Sequence, residues 1–143
     1  MKRRTGFTLI ELMIVVLIVA VLAAVLVPFM RARVEAAKWS EGKAGAGTIA
    51  SALRAYAAEQ GTDGDYANLT VDKLFKESDL QGKHFRRDRY TLDGTVAYTE
   101  VGDPLYPLTY TITVTAPPEE SWKVTSYTLD HTGAWTEYQD AGD

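Results

Sequence analysis

Residues 6–30 read GFTLIELMIVVLIVAVLAAVLVPFM. From Phe7 to Met30 the only charge is Glu11 and the only hydroxyl is Thr8. At about 1.5 Å of rise per residue, a helix over 7–30 spans about 36 Å, enough to cross a bilayer core with some tilt. The segment is apolar on every side, as a lipid-facing helix must be. Lys2, Arg3 and Arg4 precede it. The positive-inside rule places them in the cytoplasm and the chain beyond residue 30 outside, with Arg31 and Arg33 pulling weakly the other way. The rest of the chain is polar. The averages over 143 residues, 46% hydrophobic and a net charge of −4, therefore describe neither part.

An ordinary secretory signal cleaved near Ala23 or Ala24 is the simplest alternative. Glu11 argues against it, because a carboxylate inside the apolar stretch costs on the order of 2.5–3.5 kcal/mol on insertion scales. A disposable signal has no reason to carry that cost. A helix-start carboxylate complementing the macrodipole recovers only ~0.3–1 kcal/mol. Nothing cationic lies within helix reach of Glu11, since Arg4 is two turns upstream. Its partner must come from another chain or from a new terminus. Cleavage between Gly6 and Phe7 would remove the three basic residues and create an α-amine on Phe7, four residues before Glu11.

The stretch GFTLIELMIVVLIV behind a short basic leader resembles the class III signal of type IV pilins and type II secretion pseudopilins. That pattern is a glycine, an aromatic, Thr-Leu-Ile-Glu and a long apolar helix. Gly6, Phe7, Thr8, Leu9, Ile10 and Glu11 match it position by position, and Pro28 falls where family members commonly have a proline. The resemblance covers about residues 1–30. It implies that a membrane aspartyl peptidase, which is also the N-methyltransferase, cleaves after Gly6 and methylates Phe7. Residues 1–6 would be a removed leader, 7–30 the transmembrane and polymerisation helix, and 31–143 a periplasmic or extracellular head. Glu11 would neutralise the Phe7 amine of a neighbouring subunit as helices bundle into a filament. Implied partners are that peptidase, other copies of the chain and related pilins, and an inner-membrane assembly platform. The implied location is the inner membrane, single-pass with the N-terminus cytoplasmic, and then a periplasmic or cell-surface filament. No cofactor is implied. Pro28 removes one intrahelical hydrogen bond and kinks or breaks the helix. Family filaments commonly melt just before it, and Ala20 stands here where the family often has a glycine.

From Arg31 helix formers continue, and one helix is expected from Phe7 to Gln60, with Gly61 as its stop. Val34, Ala37, Lys38, Glu41, Ala44 or Gly45, Thr48 or Ile49, Leu53, Tyr56 and Ala57 supply a stripe at three- and four-residue spacing. Gly42, Gly45 and Gly47 are its weak point: they mark a bend or admit a close backbone neighbour. Thr70 is expected to cap a short helix, Val71 to Glu77. Residues 81–89, QGKHFRRDR, form a basic irregular stretch. Tyr90–Leu92 and Thr95–Val101 flank Asp93-Gly94, a two-residue hairpin signal. Leu108–Thr115 alternates apolar residues with four threonines and reads as a half-buried strand. Ser121–Leu129 and Ala134–Tyr138 flank a turn at Asp130-His131-Thr132-Gly133. The expected class is α+β, a pilin-like ladle with a long N-terminal helix packed on an antiparallel sheet of three or four strands.

With no cysteine, thiolate metal sites and disulfides are excluded, and the presence of only two histidines, His84 and His131, argues against a multi-histidine centre. Both histidines are expected in exposed loops. No catalytic constellation and no metal site emerge, and Asp130, Glu137, Asp140 and Asp143 are too scattered for a calcium loop. Asp103-Pro104-Leu105 stands where many major pseudopilins have a Pro-Trp-Gly segment. Residues 34–143 carry 10 basic and 18 acidic side chains, which argues against a nucleic-acid partner. Within that acidic surround Lys83, Arg86, Arg87 and Arg89 cluster, readable as a solvated loop with arginines paired to local acids, as a subunit contact or, less readily, as a weak DNA contact. The leading function is a structural pilin polymerising into a type IV pilus or related filament. The alternatives are a type II secretion pseudopilin, and a minor pilin whose head is a binding module for adhesion or DNA uptake.

Overall fold

The structure is a computed structural model and describes residues 7–99 and 107–139. The leader with Gly6, the segment around Asp103-Pro104-Leu105, and Asp140 and Asp143 lie outside the described residues. The chain separates into two compact units, with the division between Ala37 and Lys38. One helix, α1 (Leu9–Gln60), begins in the first unit and ends in the second. Pro28 lies inside it without ending it, and neither do the glycines of its second half.

Every residue from Phe7 to Val34 is exposed. From Lys38 onward α1 has a buried face, made by Trp39, Gly42, Ala46, Ile49, Ala50, Leu53 and Ala57. These repeat at three- and four-residue intervals, but the face is turned from the expected one: Trp39, Gly42 and Ala46 replace Lys38, Glu41 and Ala44. The glycines explain the difference. A Cβ on Gly42 would stand 3.0 Å from the Phe85 ring, and one on Gly45 would stand 2.1 Å from the Tyr90 hydroxyl. The close neighbours are two aromatic rings seated on bare helix backbone, and there is no helix break. Gly47 has open space around it.

At its C-terminal end α1 passes into a single 3-10 turn, Gly61–Asp63, where Gly61 adopts φ 54°. The short helix α2 is Val71–Leu74, three residues shorter than expected. Thr70 stands at its N-cap without a side-chain bond. A second 3-10 turn, Arg87–Arg89, leads into the sheet.

Four strands follow in an antiparallel meander, in spatial order β1 (Tyr90–Tyr98), β2 (Leu108–Thr115), β3 (Val124–Asp130) and β4 (Trp135–Gln139). On β2, Leu108, Tyr110, Ile112 and Val114 point into the core. The threonines between them lie on the other face, where Thr91, Thr113, Thr128 and Thr136 stand in one cross-strand row. The expected hairpin at Asp93-Gly94 is corrected. β1 runs through it and pairs with β2 on both sides, with a register shift between Asp93 and Ala97. Gly94 at φ 75° makes a bulge there, since the left-handed conformation that suits a tight turn suits a bulge equally. The alternation through Val96 and the Thr99 N–H to Pro107 C=O bond at 2.8 Å carry the pairing onward. The second expected turn is present. Asp130 Oδ1 accepts from the Thr132 and Ala134 amides at 2.9 Å each, and Gly133 adopts φ 91°.

Replacing Gly45 by alanine is therefore expected to cost about 1–3 kcal/mol, because the buried Tyr90 ring must move. Gly47→Ala is expected to be neutral or to stabilise by up to about 1 kcal/mol through helix propensity. Thermal unfolding of the two variants followed by circular dichroism separates them. Equal effects would place the Tyr90 contact in error.

Candidate functional site

The N-terminal residues form a small polar site at the start of a helix that is otherwise apolar. Thr8 precedes the first helical residue and Glu11 is the third within it. The Thr8 amide donates to Glu11 Oε2, and the Glu11 amide donates to Thr8 Oγ1, each at 3.4 Å. The Thr8 hydroxyl also reaches Glu11 Oε2 at 3.4 Å. This is a capping box: two of the helix's orphan amides are satisfied reciprocally by a threonine and a glutamate three residues apart. Both Thr8 donors fall on Oε2, and Oε1 accepts from no described residue. The sequence reading assigns Glu11 and not Thr8, although the Thr-x-x-Glu spacing carries the signal. Phe7 is exposed directly before the cap, and Pro28 lies on the same exposed stretch. Arg33 stacks over the Phe29 ring at 5.1 Å, at the point where the apolar run ends.

The family model for the prokaryotic N-terminal methylation motif matches residues 1–27. The chain carries this motif at its N-terminus, a likeness to type IV pilins and pseudopilins over that segment. Type II secretion system core protein G of Pseudomonas aeruginosa is 44% identical to it over 55 residues, which are 38% of this chain and 39% of that protein. The chain thus spans about two-fifths of the length of the curated relative it matches. No solved structure matches it. Pilins and pseudopilins are structural proteins, not an enzyme family.

The basic stretch of this prepilin-type chain is held by a carboxylate from α1. Glu41 Oε1 accepts the His84 amide at 2.8 Å and the Phe85 amide at 3.0 Å. Gly82 closes the turn by donating to Phe85 C=O at 2.9 Å, and a side chain at Gly82 would strike Glu41. Arg87 pairs with Asp72 at 3.1 Å and donates to Phe75 C=O, while Arg89 pairs with Asp88 at 3.2 Å. Lys83 and Arg86 are exposed. The cluster does not form a free basic patch. Lys83, Arg86 and Arg89 line one cleft together with Asp88, Glu119 and Glu120, so carboxylates face the cations across it. His84 lines the same cleft and is half-buried, as is His131, which corrects the expectation of exposed loop histidines.

At the same cleft, Lys38 bonds Glu120 at 2.5 Å, and Glu120 accepts from Trp122 Nε1 at 3.0 Å. The Lys38 bond is the main cause that holds the Glu120 carboxyl below its ordinary range. Tyr127 packs edge-on against Trp39 at 4.7 Å, under the Lys43 ammonium at 3.7 Å, while Trp135 and Tyr138 stay exposed. Asp130 and Glu137 are occupied locally, the first in its turn and the second by the Tyr127 hydroxyl at 2.9 Å.

Burial pushes the Glu41 carboxyl up, but the Phe85 and His84 amides and the nearby His84 charge outweigh it and hold it below its ordinary value of 4.5. Tyr90 beside it is pushed up to about 12, by burial first and by the Glu41 charge second. Glu41 is thus more acidic folded than unfolded. Its stabilising contribution is full at neutral pH and is lost as pH falls through the folded value, below 4.5. Glu41→Gln is expected to lower stability at pH 7 by roughly 1 kcal/mol, the difference between charged and neutral acceptors. It should also flatten the fall in stability below that pH. Denaturant titrations at pH 7 and pH 3.5 check this; parallel losses at both would show that the charge is immaterial.

Proposed function

We propose that this chain is a prepilin whose processed form polymerises through α1 into a type IV pilus or related filament. The observation that carries the reading is the Thr8–Glu11 cap at the head of the exposed apolar stretch of α1. Glu11 Oε2 serves its own helix, and Oε1 remains for a cation from elsewhere. Cleavage after Gly6 by a prepilin peptidase would expose the Phe7 amine, which the same enzyme methylates. Before assembly the helix spans the inner membrane with Lys2, Arg3 and Arg4 in the cytoplasm. In the filament the Phe7 amine of one subunit meets Glu11 of its neighbour within a low-dielectric helix bundle, where opposite charges attract strongly. Apolar packing holds the helices together in the bundle, while the charge pair favours the bundle over lipid and sets its register. An inner-membrane platform and other copies of the chain are the partners this requires.

A pseudopilin of a type II secretion system is the second reading, and the similarity to protein G favours it. The two readings share the mechanism and differ in the machine. Deleting the gene separates them: loss of surface filaments supports the pilus, and periplasmic retention of secreted proteins supports the pseudopilin.

Glutamine can replace glutamate in a capping box. Glu11→Gln therefore keeps the cap and removes only the charge. Membrane content and cleavage after Gly6 are expected to stay normal, while filament content falls by tenfold or more, as does that of Glu11→Ala. The measurement is quantitative blotting of membrane and sheared-filament fractions at matched expression, with mass spectrometry of the N-terminus. A wild-type filament yield from Glu11→Gln would overturn the charge-pair mechanism.

A further inference from the structure

The first unit of the chain carries two cations where its apolar stretch ends, Arg31 and Arg33. Both are exposed, and neither forms an ion pair with any described residue. The Arg33 guanidinium lies 5.1 Å over the centre of the Phe29 ring, one turn back along α1. Phe29 and Met30 are themselves exposed. Residues four apart share a helix face, whereas residues two apart are rotated by about 200° around the axis. Arg31 and Arg33 therefore stand on opposite sides of α1, separated by only about 3 Å along it. The nearest carboxylate in the sequence, Glu35, lies about 6 Å beyond Arg31 along the axis, on the side away from the apolar stretch.

On the membrane-spanning reading given above, on which this inference rests, both arginines emerge on the side opposite Lys2, Arg3 and Arg4. Basic residues there oppose the orientation that the leader imposes, so topology gives them no use. Their depth does. A helix entered at Phe7 crosses a hydrocarbon core of about 30 Å by about residue 27, and the headgroup layer occupies the next few residues. Arg31 and Arg33 fall in that layer, with Phe29 at its inner boundary. A guanidinium presents its N–H donors in a fork that matches phosphate. We propose that Arg31 and Arg33 form a two-sided collar for anionic phospholipid in the leaflet away from the leader, each binding the phosphate of a separate headgroup. Two cations on opposite sides of one helix cannot converge on a single ligand, but headgroups surround a spanning helix on every side. The continuity of the cations with the exposed apolar stretch favours lipid over a carboxylate of a second copy as the occupant. The contact lasts only while residue 30 stays at the membrane surface. Anionic lipid thus holds the dispersed subunit at a fixed depth and is given up when the helix enters a filament.

The test uses the full chain reconstituted into phosphatidylcholine vesicles, in the background Lys2→Gln/Arg3→Gln/Arg4→Gln so that the leader attracts no anionic lipid. Spin-labelled phosphatidylglycerol and spin-labelled phosphatidylcholine are compared by the fraction that the protein immobilises in electron spin resonance. Phosphatidylglycerol is expected to associate about fivefold more strongly at low salt. The preference should shrink towards equality in about 1 M salt, where screening acts over only ~3 Å. Adding Arg31→Gln/Arg33→Gln is expected to abolish it, and Arg31→Lys/Arg33→Lys to retain it, since an ammonium also donates to phosphate. Resistance of the protein to alkaline extraction from the same vesicles reports spanning separately. A chain that spans but shows no preference, or whose glutamine pair keeps the full preference, overturns the collar alone; the second result would leave the arginines to another partner, such as a carboxylate of a second copy. A chain that is extracted by alkali overturns the membrane-spanning reading and the collar with it.

Discussion

The second unit depends on a seam where two aromatic rings lie against a helix surface that has no side chains. Phe85 sits on Gly42 and Tyr90 on Gly45, close enough that a Cβ at either position would meet the ring. Each glycine costs helix propensity. The compensation is burial of the Phe85 ring, which is 1% exposed, and of Tyr90 at the first residue of β1. Glu41, one residue before Gly42, accepts two loop amides and fixes the loop that carries Phe85. Once Tyr90 is placed, strand pairing propagates the rest. Tyr90 opposes Val114, Leu92 opposes Ile112, and Ile112 opposes Leu129. A one-residue slip would turn this apolar set outward and the threonines inward, which burial against α1 prohibits.

That seam also marks where sequence reasoning stops. The N-terminal motif is legible because its information is local: glycine, aromatic, threonine and glutamate lie within six consecutive residues, ahead of an apolar run that has no other use. Strand β2 is legible for the same reason, since its alternation is complete within Leu108–Thr115. The seating of rings on Gly42 and Gly45 is not local. Its cause lies some forty residues away in the rings of Phe85 and Tyr90, and periodicity alone cannot tell a glycine that breaks a helix from one that receives a ring. Lys38 and Glu41 enter the expected stripe by spacing, while their polar ends are engaged by Glu120 and by loop amides. Asp93-Gly94 fails by ambiguity of another kind. A positive-φ glycine serves a hairpin or a bulge, and only the continued pairing of Ala97 with Thr109 decides between them. In the basic cluster, the types and spacing of Arg87 and Arg89 are visible, as is Asp88 beside Arg89, but the partners of Arg87, Asp72 and Phe75 C=O, are set by the tertiary fold.

The two units differ in where their stabilisation comes from. Between Lys38 and Gln139 the apolar side chains find partners within the chain: Trp39, Ile49 and Leu53 on α1 meet Ile112 and Val114 on β2 in one core. Between Phe7 and Val34 no described residue is buried. The hydrophobic free energy of that stretch, about 25 cal/mol for each Å² removed from water, can be gained only from lipid or from other helices. The two environments are nearly equivalent for leucine and valine, because lipid tails are as apolar as the side chains. Apolar packing by itself therefore gives such a helix little reason to leave the membrane for a filament. The polar exception supplies the difference. The Thr8–Glu11 cap satisfies amides in either environment, whereas an unpaired carboxylate oxygen is costly in lipid and is compensated where a neighbour brings a cation. In the filament proposed above, one charged residue in an otherwise interchangeable surface is thus enough to make the assembled state distinguishable from the dispersed one.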